Sequence, residues 1–138
     1  MSNATLCPFS KPIIGRWCRC PFAKLSDRCA GKMVCIRAGE CLPGCTHLLD
    51  VLKDRSRFIL HSHNEDAQLT HAQLMKIRCG GLQGMQRVLE LPDDKPPAVL
   101  EVIEAANARY GDVDRFPFNE IVQDIQAFSH RRKRGSDQ

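Results

Sequence analysis

The 138-residue sequence predicts a mainly α-helical fold in which an irregular, cysteine-rich, metal-organised N-terminal module packs on a small helical domain. Three observations lead there. Seven of the eight cysteines lie in the first 45 residues. The same stretch holds Pro8, Pro12, Pro21 and Pro43 and no sustained apolar period. Beyond it, apolar residues recur at helical spacing. The expected organisation is a metal module over 1–45, a helical domain over 46–130 and a disordered basic tail over 131–138.

A segment as short and irregular as 1–45 cannot offset its chain entropy by apolar burial alone, so metal is expected to order it. The N-terminus has no basic and apolar leader pattern, and no apolar run approaches the roughly 20 residues of a membrane span. These features predict a cytoplasmic chain with reduced thiols, and clustered reduced cysteines point to metal before disulfides. A disulfide scaffold is the rival reading. Charge is uneven: residues 1–45 carry seven Lys/Arg against two Asp/Glu. Lys11, Arg16, Arg19, Lys24, Arg28 and Lys32 can offset the negative charge of thiolate ligands, or form a face that docks a redox protein partner.

The elements follow in order. Residues 1–45 read as loops and turns, with Cys7-Pro8-Phe9-Ser10-Lys11 echoed by Cys20-Pro21-Phe22-Ala23-Lys24; proline after a ligating cysteine turns the backbone away and removes one N–H. Leu48, Leu49 and Leu52 mark a helix to about Arg55, and Phe58-Ile59-Leu60 is a short strand or its continuation. Thr70 to Gln73 fits a capping box opening a helix to about Arg78. Cys79-Gly80-Gly81 is expected to break it, with another helix from Leu82 to about Leu91. After the Pro92–Pro97 connector, Val99, Leu100, Val102, Ile103 and Ala106 line a helix that Gly111 closes. The last helix, about Phe118 to His130, carries Ile121, Val122, Ile125 and Phe128 on one face.

The cysteines are spaced Cys7-x10-Cys18-x-Cys20-x8-Cys29-x5-Cys35-x5-Cys41-x3-Cys45-x33-Cys79. Structural zinc pairs its ligands in short knuckles, and only Cys41-x3-Cys45 has that form. Neither standard ferredoxin spacing is present. An irregular, dense sulfur set suits an iron–sulfur cluster, [4Fe–4S] before [2Fe–2S] and in one or two copies, with zinc as the alternative. The tightest four, Cys18, Cys20, Cys29 and Cys35, are the expected metal ligands. Cys7, Cys41 and Cys45 form a second tier. Cys79 is either a ligand, with Gly80 and Gly81 offering bare backbone to the cluster, or a buried small hydrophobe. His47, His61 and His63 read as surface or turn residues. No Ser-His-Asp order, paired-carboxylate pattern or phosphate loop suggests an enzyme.

Residues 69–89 also scan as a helix-turn-helix, with the turn at Cys79-Gly80-Gly81 and Gln83, Gln86 and Arg87 facing a DNA groove. That would make a cluster- or thiol-sensing DNA-binding regulator.

The stretches Arg16-Trp17-Cys18-Arg19-Cys20-Pro21 and His71-Ala72-Gln73-Leu74-Met75-Lys76-Ile77-Arg78-Cys79-Gly80-Gly81-Leu82-Gln83-Gly84 resemble small cysteine-rich proteins encoded among the nitrogen-fixation genes of proteobacterial diazotrophs. The likeness covers the first two-thirds of the chain. It implies a setting of low-potential electron supply to nitrogenase or cluster handling nearby, with the cysteines as cluster ligands and no catalytic residues. Iron–sulfur binding with an electron-transfer or redox accessory role is thus the expected function, and DNA-binding regulation the alternative.

Overall fold

The computed structural model describes residues 6–27, 31–56 and 70–128. Cys29, Arg28, Phe58-Ile59-Leu60, His61, His63 and the 131–138 tail lie outside them.

The front segment has more regular structure than its proline content suggests. Cys7 and Cys20 each open a turn with proline next, closed by Ser10 N–H on the Cys7 carbonyl at 3.1 Å and by Ala23 N–H on the Cys20 carbonyl at 3.2 Å. Proline's fixed φ suits that second turn position. The echo in sequence is therefore an echo in backbone. The two copies then diverge, the first entering helix α1 (Ser10–Ile14) and the second strand β1 (Ala23–Leu25). Strand β2 (Met33–Cys35) pairs antiparallel with β1, with Ala23 opposite Cys35. On the other edge of β2, Leu6 bridges Val34 and Cys7 N–H donates to the Met33 carbonyl at 3.0 Å.

Helix α2 spans Ala38–Ser56, ten residues ahead of the expected start at Leu48 and across the expected boundary at residue 45. Pro43 stands inside it. The N–H it lacks would have met the Gly39 carbonyl, and both residues are exposed, so water can serve that carbonyl. The buried positions Cys45, Leu48, Leu49, Leu52 and Ser56 follow the helical repeat.

Thr70 caps helix α3 (His71–Met75) as expected, its hydroxyl accepting from Gln73 N–H at 3.1 Å while the Gln73 amide oxygen accepts from Thr70 N–H at 2.9 Å. The expected break at Cys79-Gly80-Gly81 does not occur. A π-turn (Lys76–Gly80) carries the chain directly into helix α4 (Gly81–Val88), so no helix-turn-helix corner exists there. The glycines serve packing. A Cβ on Gly80 would lie 2.7 Å from the Ile125 Cα, one on Gly81 2.9 Å from Leu52 Cδ2, and one on Gly84 2.6 Å from the Ile121 Cβ. Two residues assigned to a DNA groove are engaged elsewhere. Gln86 is buried and donates to the Pro92 and Lys95 carbonyls, and Arg87 pairs with Asp124 at 2.6 Å.

Helix α5 (Val99–Tyr110) ends at Gly111, whose φ of 96° needs glycine. The last expected helix is shorter: a 3₁₀ turn (Phe118–Ile121) leads into α6 (Val122–Ala127), and Phe128 is extended. The described residues are thus mainly helical. One apolar core draws on the front segment through Phe9 and Cys18, and on the helices through Cys45, Leu52, Ile77, Leu82, Met85, Val102, Ile121 and Ile125. No helix among the described residues is long and apolar enough to cross a membrane.

Candidate metal centre

Five segments deliver seven cysteines. Cys7 and Cys20 open the two proline turns, Cys35 ends β2, Cys41 and Cys45 lie one turn apart on α2, and Cys79 sits in the π-turn. Cys18 and Cys20 share a face because Arg19 between them bridges Ala98, with Arg19 N–H on the Pro97 carbonyl and Val99 N–H on the Arg19 carbonyl, both 3.0 Å. Alternation in extended chain then turns Arg19 outward, where its Nε donates to the Pro96 carbonyl at 2.9 Å. Ahead of this strap, Arg16 takes a left-handed φ of 67°, and Trp17 returns to meet Phe128 edge-on at 4.9 Å.

All seven described cysteines are free thiols. Cys18, Cys35, Cys45 and Cys79 are buried; Cys7, Cys20 and Cys41 are partly so. Burial pushes the Cys7 thiol up to about 11; Phe9 N–H on its sulfur and the charge of Arg78 work downward, while Cys20 and Cys35 add repulsion. Burial, then Cys7, Cys20, Cys35 and Cys41, raise Cys45 to about 12. Cys41 is raised by burial and by Cys35 and Cys20. Cys18 is raised by burial, by Cys79 and then by Cys7 and Cys20. Burial lifts Cys79 to about 12 against the pull of Arg78.

These interactions sort the sulfurs. Cys20 and Cys35 act on Cys7, Cys41 and Cys45, while Cys18 is acted on by Cys79 first and then by Cys7 and Cys20. Of the four expected metal ligands, Cys20 and Cys35 act electrostatically on the second-tier Cys7, Cys41 and Cys45, Cys79 is the thiol that acts most on Cys18, and Cys29 is outside the described residues. The eventual partner of Cys79 lay 61 residues away in sequence, beyond any spacing motif. Gly80 and Gly81, expected to approach the sulfurs, face α6 and Leu52 instead. His47 is exposed on α2 and pairs with Asp114, as befits a surface residue.

Sequence reasoning passed over Arg78. It is the cation that acts on Cys7, Cys18 and Cys79, and its Nε is buried with no hydrogen-bond partner among the described residues. Its position next to Cys79 was the available signal, but an arginine near the end of an expected helix reads as a surface residue. Arg37, ahead of α2, plays a lesser part beside Cys41 while pairing with Glu40 and covering the Phe22 ring.

The donor set is all thiol, a soft set suited to iron–sulfur clusters or zinc. A single tetrahedral ion with metal–sulfur bonds of about 2.3 Å needs its sulfurs roughly 3.8 Å apart. Among the described residues, no three Cys, His, Asp or Glu side chains are grouped to hold a metal ion. The chemistry of the donors therefore fits a sulfur-bound group, and the unsatisfied Arg78 N–H fits an anionic one, whereas a ready single-ion site is absent from these residues. No family model, no curated protein and no solved structure matches this chain.

Proposed function

We propose that this chain binds an iron–sulfur cluster through the group formed by Cys7, Cys20, Cys35 and Cys45, with Cys41, Cys18 and Cys79 as adjoining donors, and that it acts in electron transfer or redox accessory work. The observation that carries this reading is the convergence of six thiols from four separate segments, close enough that Cys20 and Cys35 act on Cys7, Cys41 and Cys45, and Cys7 and Cys20 on Cys18. Metal binding displaces the thiol protons, and a cation shared by the resulting thiolates offsets their negative charge. [4Fe–4S] is preferred to [2Fe–2S], and zinc is the alternative occupant.

When bound, the cluster would supply one-electron storage; the chain supplies the ligands, the Phe9 N–H on the Cys7 sulfur and the cover of Phe9 and Trp17. Hydrogen bonds to sulfur and exclusion of solvent both tune such groups. The exposed Lys11, Arg16, Arg19, Lys24 and Lys32 provide the basic face for a redox protein partner. The nitrogen-fixation setting implied by the resemblance belongs to the same proposal. The helical run through residues 71–88 has no corner at Cys79-Gly80-Gly81, which favours the cluster reading over the DNA-binding alternative.

Anaerobic purification with iron, sulfide and zinc quantitation and an absorption or EPR spectrum tests the reading. Iron and sulfide in comparable amounts, lost in Cys20→Ala and Cys45→Ala, are expected. Zinc without sulfide would replace the cluster by a structural ion. Colourless protein free of both metals, yet protease-resistant through residues 6–45, would end the proposal.

A further inference from the structure

The π-turn sets two successive side chains to different tasks. Cys79 is fully buried beside Met75 and Phe128, while Arg78 walls a cavity of about 260 Å³ with Cys7, Ser10, Lys11, Lys32 and His71. The turn is pinned at both ends. Lys76 Nζ donates to the Gln126 and Phe128 carbonyls at 2.9 and 2.8 Å, and Gly80 lies directly on the α6 backbone. An extra residue per turn of this kind recurs at functional sites.

Burial works against the charge of Arg78, and the neighbouring Cys79, Cys7 and Cys18 work for it. Among the described residues, no carboxylate lines the cavity beside it. A buried cationic N–H left without an acceptor is costly, and native structures rarely tolerate one without a reason. Thiols are weak acceptors, whereas thiolates and the sulfides of a cluster are anionic ones.

We propose that Arg78 is the residue that tunes the cluster, its guanidinium countering the negative charge on the bound sulfurs and raising the reduction potential. The inference rests on the iron–sulfur reading above. Reduction adds one electron and one unit of negative charge to the cluster, with the electron coming from the electrode in the test below. A fixed cation nearby favours that reduced form, so its removal moves the potential in the negative direction.

The test is spectroelectrochemical titration of anaerobically purified protein, with iron and sulfide measured on the same samples. Arg78→Gln is expected to keep its cluster and to require a poise at least 59 mV lower for half reduction, equivalent to a tenfold loss of the reduced-to-oxidised ratio for a one-electron couple. Arg78→Lys, which keeps charge but not the Nε donor, should fall between Arg78→Gln and the parent. Lys32→Gln, on the exposed wall of the same cavity, should move far less. Should Arg78→Gln lose its iron, Arg78→Lys decides: a lowered potential supports the inference and the parent potential overturns it. An iron-loaded parent whose potential ignores residue 78 removes this inference alone. An iron-free parent removes the cluster reading and the role of Arg78 together.

Discussion

Gly84→Ala isolates the contact on which α4 and the last helical segment meet. The added methyl would sit 2.6 Å from the Ile121 Cβ, 2.8 Å from Ile121 Cγ2 and 3.0 Å from the Asp124 Cβ. Ordinary carbon contacts begin near 3.5 Å, so the helices must part by the better part of an ångström or Ile121 must leave its rotamer. Overpacking of this kind costs about 1–3 kcal/mol, and the gain in helix propensity from replacing glycine by alanine returns up to about 1 kcal/mol. The net expectation is a loss of about 1–2 kcal/mol, or roughly 4–8 °C in Tm for a chain of this size. Gly44→Ala is the matched control. Gly44 is also inside a helix, with nothing within 4 Å of the new methyl, and should gain stability by up to about 1 kcal/mol. Thermal and urea unfolding followed by far-UV circular dichroism compare the two. If Gly84→Ala proves as stable as Gly44→Ala, close helix approach is not what glycine provides at position 84.

Other consequences can be checked on the same material. In metal-free protein the Cys7 thiol ionises near 11 and those of Cys45 and Cys79 near 12, against an ordinary value of 9.0. Between those limits the unfolded chain gives up protons that the folded chain keeps, so stability present below pH 9 should fall as pH rises toward 12. Melting temperatures of the reduced apoprotein from pH 8 to 10.5 read this, and a flat profile would contradict buried, mutually repelling thiols. Thr70→Ala removes the capping box and should cost about 1 kcal/mol, with faster amide exchange confined to the first turn of α3. Gln86→Leu strands the Pro92 and Lys95 carbonyls, loosening the proline connector, and should raise protease cleavage between residues 92 and 97.

How much of this architecture was legible depends on the range of the interactions involved. The Thr70 cap, the α5 stripe and the Gly111 stop are local, and each was readable from a few adjacent residues. The start of α2 was hidden by Pro43, which signals a break only where its missing N–H would matter. The glycines at 80 and 81 were misread because a turn and a close helix contact call for the same residue. What separates the two is the position of Ile125 and Leu52, which no local pattern connects to the glycines. In the site, the gathering of cysteines was visible as density, but the sorting was not. The segments of Cys7, Cys20, Cys35 and Cys45 are neighbours because Leu6 and β1 pair with opposite edges of β2 and α2 follows it closely.

The two halves of the site stand on different supports, and that difference orders what perturbation should do. Cys7, Cys20 and Cys35 are held by turns and a three-residue-deep strand pairing, which is little structure for one buried and two half-buried thiols. Cys79 and Arg78 are held by the packed helical run against α6, whose contacts involve no sulfur chemistry at all. Loss of the proposed cluster should therefore release the hairpin and the first turns while leaving residues 71–88 ordered. Hydrogen exchange before and after chelation in the reduced protein separates these regions. Protection lost in 7–35 and kept in 77–86 is the expected pattern. Uniform loss across both would mean that the helical half also depends on the sulfur-bound group, and that Arg78 waits at a site the protein cannot preform.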